Sequence, residues 1–269
     1  MFDSVFMLRA FAAGIMIAVI TPLIGTITVT KRLSMIGEAL SHTSLAGVAA
    51  GLLLNINPVL GAAAVCVIAA LCIDAVRKRI PRYAELSIAI IMSAGLGLAG
   101  LLSGYVKTSA NFNSFLFGSI ILLTGQEIII TAVVAAIVIA SFILFYREFF
   151  YTALDERAAR LSGVKVKTFN LFFTLLTAIT VSVAARVAGA LLVSSLMVIP
   201  VACALMLQKS FKATIFLSIL FAVSFTICGL VLSFYIQGLR ASAAIVLLGV
   251  LCFAAILGIK KAFSKKYAA

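Results

Sequence analysis

Apolar runs of about 18 residues or more recur from one end of this chain to the other, and each is long enough to cross a hydrocarbon layer of roughly 30 Å as a helix. Of 269 residues, 64% are hydrophobic and only 11% charged, with a mean hydropathy of +1.28. A water-soluble domain carries roughly 25% charged residues, so the polar surface needed to cover a globule is missing. The fold class that follows is an all-α, polytopic transmembrane helical bundle in the lipid bilayer, a single transmembrane domain over 1–269. The runs fall at 9–30, 35–54, 58–76, 86–105, 113–146, 169–185, 187–207, 211–236 and 241–262. The fifth is too long for one crossing and breaks at Thr124, Gly125 and Gln126. That leaves a short piece, 113–123, of re-entrant or interfacial length, before a full helix from Glu127 to Tyr146.

About nine crossings are therefore expected, with the termini on opposite sides. The charges test this independently. With the N-terminus outside, the cytoplasmic segments hold Lys31, Arg32, Arg77, Lys78, Arg79, Arg82, Arg147, Arg157, Arg160, Lys165, Lys167, Lys209, Lys212, Lys260, Lys261, Lys265 and Lys266. Only Arg9, Lys107, Arg186 and Arg240 of the 21 basic residues stay outside. This bias predicts an N-out, C-in topology. It also accounts for the net charge of +13 without nucleic acid, because the basic residues lie between apolar runs and no RNA- or DNA-binding motif accompanies them. The five cysteines all lie within apolar runs and read as small hydrophobes. Met1 to Met7 carries Asp3 and no basic region, so no removable signal is expected.

Charges inside the runs need individual accounts. Asp74 has Arg77 and Lys78 three and four residues on, the spacing of helical ion pairs. Glu85 flanks a helix start after Pro81, Arg186 sits at an outer junction, and Glu127 opens a helix whose dipole favours an acid. Glu38 and His42 differ. Four residues apart, they share one helix face, and His42 is the protein's one histidine. A carboxylate oxygen and an imidazole nitrogen suit Zn²⁺ or Mn²⁺; the same two residues also read as an acid at a helix N-terminus and a histidine bonded to a neighbouring helix. Two ligands do not close a metal site, so further groups must come from other helices or a second copy. Ser41, Thr43, Ser44, Gly47, Ala50 and Gly51 make this helix too polar and too small for lipid, which suggests close packing or a watery path.

The longest polar segment, 147–167, contains the features of a short surface helix between Thr152 and Gly163. Thr152 is the expected N-cap, Asp155 takes the capping-box position, and Gly163 ends it. Composition alone leaves a solvated loop helix and a docking element both open. Ser194, Ser195 and Pro200 mark a polar, kinkable stretch that, with Ser41, is expected to line a central path. No phosphate-loop pattern occurs, so the chain supplies no ATPase of its own.

The segment GEALSHTSLAG at 37–47 resembles the signature of the ABC-3 family, the permeases of zinc- and manganese-uptake ATP-binding-cassette importers. LFGSI at 116–120, DERAARLSG at 155–163 and GALLVSSLMVIP at 189–200 follow in the family's order, so the resemblance spans nearly the whole chain. It implies a homodimeric permease in the plasma or inner membrane of a prokaryote, with cytoplasmic ABC ATPase subunits and an extracytoplasmic metal-binding protein as partners. No permanent cofactor is implied; the divalent metal, zinc or manganese, is cargo. Glu38 and His42 match the family's acid and histidine, with Glu where many members have Asp. The coupling helix corresponds to about 152–163, including Asp155, Glu156, Arg157, Ala158, Ala159, Arg160, Leu161, Ser162 and Gly163. A secondary proton-coupled metal transporter and an ABC permease for a metal chelate are the competing readings.

Overall fold

The computed structural model describes residues 5–80, 83–105, 124–207, 209–236 and 238–267, and the regular structure among them is all α-helix. In chain order the helices are α1 (Val5–Thr30), α2 (Ile36–Leu53), α3 (Pro58–Arg79), α4 (Ala84–Ser103), α5 (Gly125–Leu144), α6 (Tyr146–Leu154), α7 (Glu156–Leu161), α8 (Val166–Ala188), α9 (Ala190–Met206), α10 (Phe211–Tyr235) and α11 (Ala241–Tyr267). The short piece at 113–123 and the motif at 116–120 lie outside the described residues.

Local rules explain most of the boundaries. Asn57 caps α3 by accepting the Val59 N–H at 2.9 Å, with Pro58 at the first helical position. At the expected break, Thr124 and Glu127 form a reciprocal capping box: Glu127 N–H donates to Thr124 Oγ1 at 3.4 Å and Thr124 N–H to Glu127 Oε2 at 3.0 Å. Gly189, at φ +91°, separates α8 from α9.

Seven described helices are long and apolar enough to cross a membrane: α1, α3, α4, α5, α8, α10 and α11. The other two elements at expected spans fall short for different reasons. α9 has only 17 residues because Gly189 interrupts the run. α2 carries Glu38, Ser41, His42, Thr43 and Ser44 within its 18 residues. Its polarity is tolerable because it is wrapped by α3, α4, α8 and α9 rather than by lipid. The closest approach is to α3, where Gly47 and Gly61 face one another: a methyl group on either would fall 2.4 Å from the other's carbonyl oxygen.

Charge separates the two ends of the bundle. Lys31, at the α1–α2 turn, meets Glu156 of α7. Lys212 of α10 lies 5.4 Å from the Tyr146 ring at the start of α6, and Lys260 reaches the Met206 carbonyl at 3.4 Å. Asp74 pairs with Arg77 at 3.2 Å and with Lys78, as their spacing predicts. All these residues come from the segments assigned to one side by charge. The Glu127–Arg186 bridge, 2.8 Å, lies at the other ends of α5 and α8, roughly 30 Å away for a helix of this length.

The Gly47 contact makes a direct test. Gly47→Ala should lower stability by about 1–3 kcal/mol, the usual cost of overpacking, because backbone rather than a flexible side chain must yield. Gly97→Ala, where a methyl group meets open space, should cost nothing. Thermal unfolding of the two purified variants in one detergent compares them.

Candidate functional site

The polar pair sits on α2 in an unusual way. From Ile36 to Ala49 every residue is buried except Glu38 and His42. Glu38 occupies the first turn, where the helix dipole favours a carboxylate. It lines a cleft of about 720 Å³ together with Ser34, Met35, Ser194, Ser195 and Ser242. Ser194 and Ser195 each donate to the Leu191 carbonyl, at 3.1 and 3.0 Å, which leaves their oxygens free to accept or to ligate. Ser41, grouped with them in the sequence as path-lining, is fully buried and does not line this cleft.

Burial on either side of the pair is well matched. The Thr43 hydroxyl donates to the Ala39 carbonyl and the Ser44 hydroxyl to the Ser41 carbonyl, both at 2.6 Å. Gly37 accommodates the Met197 thioether, which a methyl group there would meet at 2.6 Å; this fixes the first turn of α2 against α9, and so Glu38 near Ser194 and Ser195. Two atoms lack a partner: Ser41 Oγ and His42 Nδ1 are buried without a hydrogen bond among the described residues. Such a group costs about 1–3 kcal/mol, and a nitrogen left in that state is available to a ligand. Among the described residues no three or more His, Cys, Asp or Glu side chains cluster as a metal cage. One copy thus brings a carboxylate and an imidazole, with serine oxygens near the carboxylate.

At the basic end, the surface segment between α5 and α8 differs from its sequence reading. The surface helix does not begin at Thr152. Tyr146–Leu154 is already helical, with Thr152 inside it and donating to the Glu148 carbonyl at 2.6 Å. Tertiary packing overrides the local capping signal here: Phe149 is buried, stacked on Phe142 at 4.3 Å and edge-on to Phe169 at 4.8 Å. Asp155 is the cap, accepting the Arg157 N–H at 2.7 Å. α7 ends in a Schellman arrangement, with Val164 N–H on the Ala159 carbonyl, Gly163 N–H on the Arg160 carbonyl, and Gly163 at φ +85°. Along it, Asp155, Glu156, Arg157, Ala158, Arg160, Leu161 and Ser162 reach the surface or its edge, Ala159 is buried, and Leu161 is 91% exposed.

In the sequence Lys31 reads only as topological charge, and Asn170 carries no signal of its own. The structure joins both to α7. Lys31 Nζ donates to Asn170 Oδ1 at 2.7 Å and to Glu156 Oε1 at 3.3 Å, and Asn170 Nδ2 donates to the same carboxylate oxygen at 3.0 Å. Burial lowers the Lys31 amine's pKa, with Glu156 opposing the shift. For Glu156, burial acts to raise the pKa, but the Asn170 hydrogen bond and the Lys31 charge together hold it below its ordinary value. Nothing local marks these partners, since they lie 125 and 139 residues from Lys31.

Comparison with known proteins follows this geometry. The family model described as the ABC 3 transport family matches residues 3–260. The chain is 31% identical over 249 residues, 92% of its length and 88% of the relative's, to a manganese transport system membrane protein, MntC, of Listeria monocytogenes. It is 26% identical over 234 residues, 87% of its length and 89% of the relative's, to a high-affinity zinc uptake system membrane protein, ZnuB, of Haemophilus influenzae. Among solved structures it resembles PsaBC from Streptococcus pneumoniae in complex with Fab, with a TM-score of 0.83 and 26% identity, over 94% of this chain and 91% of that one.

The Glu156 environment sets an acid-side signature. A depressed folded pKa stabilises the protein fully above the ordinary value of 4.5, and that contribution disappears as the pH falls through the lowered folded value. The effect is modest because the carboxylate is 40% exposed and therefore screened. Glu156→Gln should remove it, so the thermal midpoint of the wild type should fall more between neutral pH and about pH 3 than that of the variant.

Proposed function

The chain belongs to the ABC 3 transport family, and on that premise we propose that it is the membrane-spanning permease subunit of an ATP-binding-cassette importer for divalent metal ions, zinc or manganese. Hydrolysis of ATP belongs to a separate subunit. The observation that carries the metal assignment is the Glu38–His42 pair, accessible on an otherwise buried helix, with His42 Nδ1 unpartnered and Glu38 facing a serine-lined cleft. Oxygen and imidazole donors suit both zinc and manganese. Two ligands per copy bind a passing ion loosely, which favours transit over storage, and a homodimer doubles the set to two carboxylates and two imidazoles.

Nine crossings, N-terminus out and C-terminus in, complete the reading: α1 to α5 and α8 to α11 span, with α2 and α9 sheltered by their neighbours. The gathering of the basic segments at one end supports the cytoplasmic placement of that end. There α7 presents the exposed Leu161 to the ATPase subunit, while an extracytoplasmic metal-binding protein delivers the ion at the opposite end. Movement of α7 on ATP binding is felt by Lys31 through Glu156. The turn holding Lys31 is tight, with Arg32 at φ +57° and the Leu33 N–H bonded to the Thr28 carbonyl, so displacement passes to the first turn of α2 and to Glu38. ATP-driven closure is thereby coupled to access at the metal pair.

Two experiments test this. In proteoliposomes containing the permease, its ATPase and the binding protein, His42→Ala and Glu38→Gln should reduce metal uptake by at least the 10- to 100-fold that loss of an outer-shell partner costs a metal site, with assembly intact. Lys31→Met should preserve assembly and basal ATP hydrolysis but lose stimulation by the metal-loaded binding protein. Unchanged uptake in His42→Ala sinks the ligand assignment, and uptake by the isolated chain down a proton gradient would make it a secondary transporter. For topology, cysteines placed at Arg160 and Gln126 in a cysteine-free background should label from the inside and the outside of intact cells respectively, and differently tagged copies should co-purify as a dimer.

A further inference from the structure

A second polar cavity, of about 1170 Å³, opens at the basic end and shares no lining residue with the Glu38 cleft. Six basic side chains line it, Lys31, Arg32, Arg77, Lys78, Arg160 and Lys167, against the two carboxylates of Glu85 and Glu156. Three of the six are already engaged: Lys31 by Glu156 and Asn170, and Arg77 and Lys78 by Asp74. Arg32, Arg160 and Lys167 have no ion pair or hydrogen bond from their side chains among the described residues. A concave site with this surplus of positive charge repels the transported cation and attracts an anion.

Its surroundings narrow the anion's chemistry. The cavity lining includes Tyr83, Ala84 and Leu86 at the start of α4. From Leu86 the exposed face of α4 continues through Ile90, Leu98 and Leu101, all more than half exposed. An apolar track thus leaves the basic cavity along a membrane-crossing helix, with an aromatic ring at the junction. Basic pockets between helices at the cytoplasmic surface suit phosphate headgroups, with acyl chains lying along the adjoining apolar surface, and guanidinium groups bind phosphate through paired hydrogen bonds.

We propose that this cavity binds the phosphodiester headgroup of an anionic phospholipid, with the acyl chains along Leu86 and Ile90 of α4. The site rests on this end of the bundle lying at headgroup level, and not on the identity of the transported ion. Because Lys31, Glu156 and Arg160 also line it, a lipid seated there adjoins the link between α7 and α2, and lipid composition would adjust coupling.

Native mass spectrometry of the purified permease, alone and assembled with its ATPase, tests the site after incubation with vesicles of phosphatidylcholine with or without phosphatidylglycerol. Both preparations should retain phosphatidylglycerol in preference to phosphatidylcholine. Arg32→Gln combined with Lys167→Gln should weaken that retention about tenfold or more, while Lys260→Gln combined with Lys261→Gln should leave it unchanged. Equal retention by the Arg32/Lys167 variant and the wild type overturns the site. If glycerol phosphate displaces the lipid at comparable concentration, a free phosphate is the ligand and the lipid assignment fails. If lipid is retained by the isolated chain but lost on assembly, the cavity belongs to the protein partner. The metal-uptake assay of His42→Ala is independent of all these outcomes, so failure of one proposal is distinguishable from failure of the other.

Discussion

A helix carrying a carboxylate, an imidazole and three hydroxyls cannot face hydrocarbon, and the arrangement of this bundle follows from keeping α2 out of lipid. Its neighbours approach closely because glycine stands at the contacts: Gly47 against Gly61 of α3, Thr43 against Gly95 of α4, Gly37 against Met197 of α9. Thr43 and Ser44 spend their protons on carbonyls of their own helix. Helix-helix packing in lipid gains little from hydrophobicity, since lipid tails are as apolar as leucine, so small residues and backbone proximity supply the attraction instead. What this sheltering leaves accessible is Glu38 and His42.

A second polar element connects that protected helix to the surface. Lys31 is only 8% exposed in its side chain, and a buried amine is tolerable only when paired. Its partners come from α7 and α8, so the charge that satisfies the α1–α2 turn also ties that turn to the surface helix. The aromatic platform of Phe142, Phe149, Phe169 and Phe173 holds α6, and with it α7, against the membrane-crossing helices. α7 is thereby joined, through Glu156 and Lys31, to the turn that precedes α2. At the far end, the Glu127–Arg186 bridge ties the start of α5 to the end of α8, so each end of the bundle has its own ionic clasp.

Much of this was legible in the chain. Long apolar runs are local in sequence, and the expected spans coincide with helices wherever residues are described. The break at Thr124 was visible as a change in composition, and the structure explains it by a capping box. Thr152 shows where local reading fails. Its sequence context is that of an N-cap, yet Phe149 packs into an aromatic cluster built from α5 and α8 and extends the preceding helix through it. Asp155 then takes over as cap. Ser41 shows a related limit: its hydroxyl suits close packing or a watery path equally, and only the packing of α2 shows that it is buried.

By itself the sequence determined that this is a helical membrane protein of the ABC 3 transport family, and that one acid and one histidine share a helix face, because hydropathy, periodicity and motif spacing are properties of neighbouring residues. Only the tertiary structure decided that Ser194 and Ser195 line one cleft with Glu38 across more than 150 positions, that Lys31 answers Glu156, and that six basic side chains from three separate segments line one cavity. Those juxtapositions depend on how helices pack, and side-chain chemistry at one position does not reveal which distant position will face it.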